Sequence, residues 1–242
     1  MTRLTVFGVS NMLGDIFDCA LACGYDDFVV VTNVDEVVRP RTRSLRDRLA
    51  DLPVRATVLP LAEYVAAADG DCVLGTTAPA RHRLVDTLRS RFQVRLRPLV
   101  HPAAYVSPLA ALADGVFVGA GSVIGPYAEL HECAFVNRAA SIGHDTVVGP
   151  YARVQPGASV GGHVRIGAFA TVGIGACVIE EIHIGDAALI AAGAVVAGDV
   201  EARQLVASPR AVVRRTVAEA ELLPTWQSLA GRLSTPVRGR RT

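Results

Sequence analysis

From Val106 to Val196, every sixth residue is Val, Ile or Leu, sixteen times without a break. The residue after that aliphatic is Gly eight times, and the residue two before it is Ala eleven times. A period of six suits a prism: short strands alternate with tight turns, and one aliphatic side chain per hexad points inward. Glycine is expected to supply the unusual backbone angles of the corners. Three hexads make one coil, so the run gives a little over five coils. With strands about 4.8 Å apart, the prism is roughly 25 Å long. Each coil pairs only with its neighbours, as in other solenoids. The prism is placed at 99–200, with Leu99 to Ala104 as the joint leading into it.

A different pattern precedes it over residues 1–98. Residues 3–9, 27–32 and 71–75 read as buried strands, and Asp15 to Cys23 carries apolar residues at helical spacing before Gly24. Residues 78–90 form an Arg-rich helix with His82 facing solvent, and 92–97 a last strand. Strands alternating with helices imply a parallel α/β sheet. A C-terminal extension, 201–242, contains an amphipathic pattern over 216–231 and reads as a helix.

Bulk properties narrow the function. The chain has 242 residues, 51% of them apolar and 19% charged, with a net charge of +1, so no nucleic-acid or membrane partner is expected. No apolar stretch of about 18 residues is present to cross a bilayer. The five cysteines form no framework, and the start lacks the build of a signal peptide. A cytoplasmic protein with reduced thiols is expected, with Cys19 and Cys23 as a buried pair of small apolar residues on their helix.

Residues that break the hexad rule are the candidates for chemistry. His144 follows Gly143 at a corner, with Asp145 next to it. A neutral imidazole takes a proton near pH 7, and a carboxylate on its other nitrogen fixes the tautomer. A histidine that merely caps a turn is the alternative at this point. His131, His163 and His183 occupy different places in their hexads and do not form one column. No closely spaced His pair for zinc is therefore expected, and no metal. The turn Gly8-Val9-Ser10-Asn11-Met12-Leu13-Gly14 precedes a helix whose N-terminus favours an anion such as a diphosphate. It lacks the full dinucleotide fingerprint, and a plain structural turn is the other reading.

The segments FGVS near the start, LVHPAAYVSP entering the prism, N-x6-HD from Asn137 to Asp145, and SPRAVVRR after it carry a resemblance. Over roughly residues 3–215 the chain resembles the sialic-acid O-acetyltransferase (NeuD) family, which includes bacterial nucleotide-aminosugar N-acetyltransferases. The resemblance implies a Rossmann-like domain joined to a left-handed β-helix, a homotrimer, and acetyl transfer from acetyl-CoA to a sugar amine, with O-acetylation or a non-catalytic ligand-binding protein as alternatives. It makes His144 the general base, Asp145 its tuner and Asn137 an aid to acceptor orientation. Coenzyme A is expected between two prisms against Gly162, Ile174 and Gly193, with Gly162 also the candidate oxyanion donor. Arg153 is placed near the donor, and Arg214 and Arg215 either near its phosphates or in a solvated basic tail. Gly8, Ser10, Asn11, Gly75, Thr76, Thr77 and Arg81 are expected to bind the acceptor. Relatives acting on UDP-aminosugars carry G-x-S-G-H-G in the first turn and Gly-Asn-Asn where this chain has Gly75-Thr76-Thr77. These departures leave the acceptor open.

Overall fold

The computed structural model describes residues 2–33, 44–66, 70–77 and 80–209. Arg214, Arg215 and the helix expected over 216–231 lie outside them.

The N-terminal region is a parallel sheet of β1 (Arg3–Phe7), β2 (Asp27–Thr32), β3 (Arg55–Pro60) and β4 (Asp71–Leu74) in the order β3-β2-β1-β4. Among the described residues three α-helices accompany it: α1 (Leu13–Ala22), α2 (Leu45–Ala50) and α3 (Arg81–Phe92). β1 and β2 are almost wholly buried, which is why they read as continuous apolar runs. β3 is an edge strand with mostly exposed or half-exposed residues. α2 is a short helix whose Ser44–Asp47 capping box satisfies its first amides. Neither offered an apolar run to read.

The strand expected over 92–97 is not formed. Gln93 takes a left-handed conformation (φ 53°) that ends α3. The segment then makes one ladder-like bond beside β4, Arg97 N to Cys72 O at 2.8 Å. Pro98 follows, with no N–H to continue a ladder. Cys19 is buried as expected, but Cys23 is exposed and donates its thiol to Val100 O.

The repeat forms three parallel sheets, the faces of a prism, with seven, six and five strands of two residues each. On the six-strand face the inward residues align one coil apart, Ile124 on Ile142 and Ile142 on Val160. They and their counterparts form one continuous core, with Ala128, Ala140, Ala158 and Ala176 filling the space between. Each buried Val or Ile contributes about 1.5–3 kcal/mol by leaving water. The coil takes in the expected joint and ends later than expected. Leu99–Val100 is already the first strand of the seven-strand face, and Leu205–Val206 the last.

The glycines of the repeat work differently from the expectation. From Gly115 to Gly193 each hexad has one left-handed residue, three places after the inward aliphatic, and Tyr127, Cys133, Asp145, Tyr151 and His163 are among them. The eight glycines directly after the aliphatics are absent from that set. They are needed for room: a Cβ on Gly125 would lie 2.8 Å from His144 N in the next coil, and one on Gly149 2.7 Å from Ile166 O. Close coil-to-coil approach, not backbone angle, selects them.

The α/β region sits on the seven-strand face. Phe117 and Phe135, stacked with centroids 4.7 Å apart, join the core formed by β1, β2 and α1. At one edge of this face Asp15 of α1 pairs with Arg138 at 2.9 Å. At the other edge α3 packs on the corner that carries Tyr151 and Phe169, whose rings stack 5.2 Å apart. His82 is half-buried there, 5.4 Å from the Phe169 ring, rather than facing solvent. Among the described residues, no helix is long and apolar enough to cross a membrane.

Candidate active site

His144 stands on the corner between the six- and five-strand faces. Its Nδ1 lies 2.8 Å from an Asp145 carboxylate oxygen. With Nδ1–H donating to Asp145, the lone pair of Nε2 is free to accept a proton. Gly162 lies one coil on, directly under the ring: a Cβ there would be 2.7 Å from both Cε1 and Nε2 of His144. Any larger residue at 162 would displace the imidazole. Asp145 has φ 56°, so the corner turns at the carboxylate itself and brings it back to the ring before it.

Thr146 fixes this corner to the next. It is fully buried in the column otherwise dominated by alanine. Its hydroxyl donates to Gly161 O at 2.8 Å and accepts from Val164 N at 3.2 Å. Sequence reading passed over Thr146; a polar residue in an Ala column was the available signal. It also missed His163, whose ring meets His144 edge to face with centroids 5.0 Å apart. The expectation of no close His pair is thus corrected. Stepping by hexads hid the pair, because the coil repeats every 18 residues and His163 takes the place of Asp145 one coil later.

The other expected residues fall into separate groups. Asn137 is on the corner between the seven- and six-strand faces, across the six-strand face from His144. It is buried, with Oδ1 accepting from Arg138 N at 2.8 Å. Ile174 and Gly193 lie on that same edge and are exposed, so one chain does not bring them to Gly162. Arg153, expected near the donor, faces the α/β region, donating to Thr77 O at 3.3 Å and to Thr171 Oγ1 at 2.9 Å. Burial lowers its pKa below the ordinary arginine value.

The carboxyl edges of β1 and β4 do bring Gly8, Ser10, Gly75 and Thr76 together. A Cβ on Gly75 would run into the Gly8 carbonyl, and Ser10 Oγ donates to Gly75 O at 2.9 Å. Ser10 Oγ also accepts from Met12 N, so this hydroxyl closes the turn; Asn11 beside it is exposed. Arg81, expected to bind the acceptor, is turned to the prism. It is 3% exposed and donates to Cys133 O and Tyr151 O of the prism and to Thr77 O. Desolvation lowers its pKa to about 10, which leaves it charged at neutral pH. It fastens α3 to the prism.

The chain is thus a parallel prism of hexads with a His–Asp corner, seated under a parallel α/β sheet. A family profile described as bacterial transferase hexapeptide (six repeats) matches residues 139–174. The chain shares the left-handed β-helix of hexapeptide acetyltransferases. Particular structures share nearly the whole described fold. The acetyltransferase domain of PglB from Neisseria gonorrhoeae FA1090, in complex with acetyl coenzyme A, is 26% identical with a TM-score of 0.71, covering 85% of this chain and 96% of that one. PerB from Caulobacter crescentus, solved with CoA and GDP-perosamine, is 24% identical with a TM-score of 0.71, covering 86% and 95%. WeeI from Acinetobacter baumannii AYE is 17% identical with a TM-score of 0.65, covering 86% and 97%. No curated protein matches the chain.

Proposed function

We propose that this protein transfers acetyl from acetyl-CoA to the amino group of a nucleotide-linked sugar. The observation that carries the reading is the His144 ring, tied at Nδ1 by Asp145 and laid on Gly162. The fold of PglB and PerB, whose structures hold acetyl coenzyme A or CoA with GDP-perosamine, supplies the chemical class.

In this reading the acceptor amine attacks the thioester carbonyl while His144 Nε2 removes its proton. The tetrahedral oxyanion is held by backbone amides, Gly162 foremost. It collapses with loss of the CoA thiolate, which takes the proton back from His144. No acyl-enzyme is formed, and the thiols of Cys72 and Cys133 suit no such role: desolvation raises them to about 11 and about 12.

Residues 1–98 act as a Rossmann-like acceptor domain and 99–200 as the donor domain, in the manner of the NeuD-like family. The strand order supports this, since it matches the 3-2-1-4 part of such sheets, with a switch point between β1 and β4. Gly8, Asn11, Gly75, Thr76 and Thr77 stand at that point, and Arg153 belongs with them. Asp15, in the helix that follows this edge, pairs with Arg138 next to Asn137, while His144 is across the six-strand face. A site uniting them therefore draws on two copies, with Ile174 and Gly193 of one facing Gly162 of the other across the CoA groove. A closed homotrimer completes three such sites.

Two measurements test the proposal. Incubation with acetyl-CoA and GDP-, UDP- or dTDP-linked amino sugars should yield an N-acetylated product by mass spectrometry. No product with any amine would remove the reading. Light scattering should give about three times the 25.4 kDa chain mass, and a monomer that binds acetyl-CoA tightly would remove the shared groove.

A further inference from the structure

The corner that carries His144 holds more than its proposed chemistry uses. A general base needs one carboxylate to set its tautomer and one free nitrogen. A second imidazole, His163, stands where the next coil repeats the place of Asp145. Both residues have left-handed backbones, φ 56° and 58°, and both amides are tied to the coil before, Asp145 N to Pro126 O at 3.0 Å and His163 N to His144 O at 2.9 Å. The two side chains thus leave the same corner of successive coils. The His144 and His163 rings meet at 88°, and one ligating atom from each of His144, Asp145 and His163 lies within 4.8 Å of the others. All three residues are exposed in the single chain.

Two neutral imidazoles and a carboxylate make a donor set for first-row divalent ions, with water at the remaining position. Calcium and magnesium prefer all-oxygen shells and are poorly served. A tetrahedral zinc ion with bonds of about 2.0–2.1 Å needs its ligand atoms about 3.3 Å apart. Rotation of the exposed Asp145 and His163 side chains closes that gap. The backbone need not move, because Thr146 already ties the two corners through Gly161 O and Val164 N.

We infer that His144, Asp145 and His163 form a site for a zinc-class divalent cation, and that the ion inhibits the protein rather than serving it. A bound ion would take His144 out of its role as base, since one imidazole cannot both coordinate and accept the acceptor's proton. The binding half stands on the geometry alone; the inhibitory half rests on the acetyl-transfer reading.

The experiment uses the full, tag-free chain titrated with CoCl2, followed by calorimetry and visible absorption. One ion per chain is expected, with the bands of nitrogen and oxygen coordination and no thiolate charge-transfer band, which separates this site from exposed Cys177. His163→Asn should weaken binding at least tenfold. Asn suits the left-handed backbone at 163, so the variant should keep its fold. Zinc should displace cobalt one for one, and product formation by wild type should fall in step with zinc occupancy. Absence of saturable binding below millimolar, a thiolate band, or unchanged affinity in His163→Asn overturns the site. Full activity with zinc bound overturns the inhibition alone. Cobalt binding by a protein that acetylates nothing leaves the site standing and removes the enzyme reading.

Discussion

The prism and the α/β region are built on opposite economies of information. In the prism a rule of six residues repeats, each coil buries its aliphatic residue against the coils on either side, and the core runs without interruption from one end to the other. In the α/β region every element is different, and two of its core groups are completed by prism residues: Phe117 and Phe135 in one, Cys133 and Tyr151 in the other. The prism core is made of its own repeats, while the α/β cores borrow prism residues. Chemistry follows the same division. In the proposed reading the prism holds an imidazole against a glycine, and the α/β edge chooses the acceptor.

The sharpest break between the two regions is catalytic. His144→Ala should lower kcat by about 10²–10⁴, the usual worth of a general base. Acetyl-CoA affinity and acceptor affinity, measured by calorimetry, should stay within a few-fold of wild type. Near-normal turnover would detach the corner from the chemistry.

The next effect concerns how the α/β region is held. Arg81→Met removes a buried cation and leaves the Cys133 and Tyr151 carbonyls without their donor, at a cost of about 3 kcal/mol. That corresponds to roughly 6–12 °C in Tm for a chain of this size. Hydrogen exchange should rise in α3 and β4 while the prism amides stay protected. Equal loss of protection in both regions would show that the prism depends on the α/β sheet as well.

What could be read in advance also divides between the regions. The prism was legible to its register, because the inward position tolerates only aliphatic residues and sixteen in a row leave no other period. Its ends were less so: Val100 and Val206 lie at the margins of the core, where an isolated hexad is hard to tell from a linker. In the α/β region β1, β2 and β4 were legible from their apolar runs, and β3 was not, because an edge strand needs no such run. The His144–Asp145 pair was legible as adjacent residues. His163 was not, because its neighbour lies one coil away. Arg81 looked like a ligand-binding arginine after a strand; only the fold reveals that carbonyls of the prism already occupy it.

A smaller effect tests the tie between coils. Thr146→Val keeps the shape of the side chain but removes the hydroxyl, leaving Gly161 O and Val164 N without this partner. A loss of about 1–3 kcal/mol is expected. Because the two tied corners carry His144 and His163, kcat should also fall while KM for acetyl-CoA holds. Thr146→Ser should restore both, since it returns the hydroxyl. If Thr146→Val lost stability without kcat, the tie would matter to the prism alone and not to the placing of the base.

The smallest expected effect on stability falls at the seam itself. Arg138 and Asp15 join the prism corner to α1 at 2.9 Å, with side chains 57% and 34% exposed. Solvent and salt screen such a pair, so Arg138→Ala should change stability by less than about 1 kcal/mol. Its position is more telling than its strength. Arg138 follows buried Asn137 and faces the start of α1, beside the carboxyl edge assigned to the acceptor. If the acceptor carries a diphosphate into that edge, losing the guanidinium should raise acceptor KM several-fold, and more so at low salt. KM for acetyl-CoA should stay unchanged, since Gly162 lies across the six-strand face. An unchanged acceptor KM at low salt would move the acceptor away from this seam, leaving Arg138 as an ordinary surface pair.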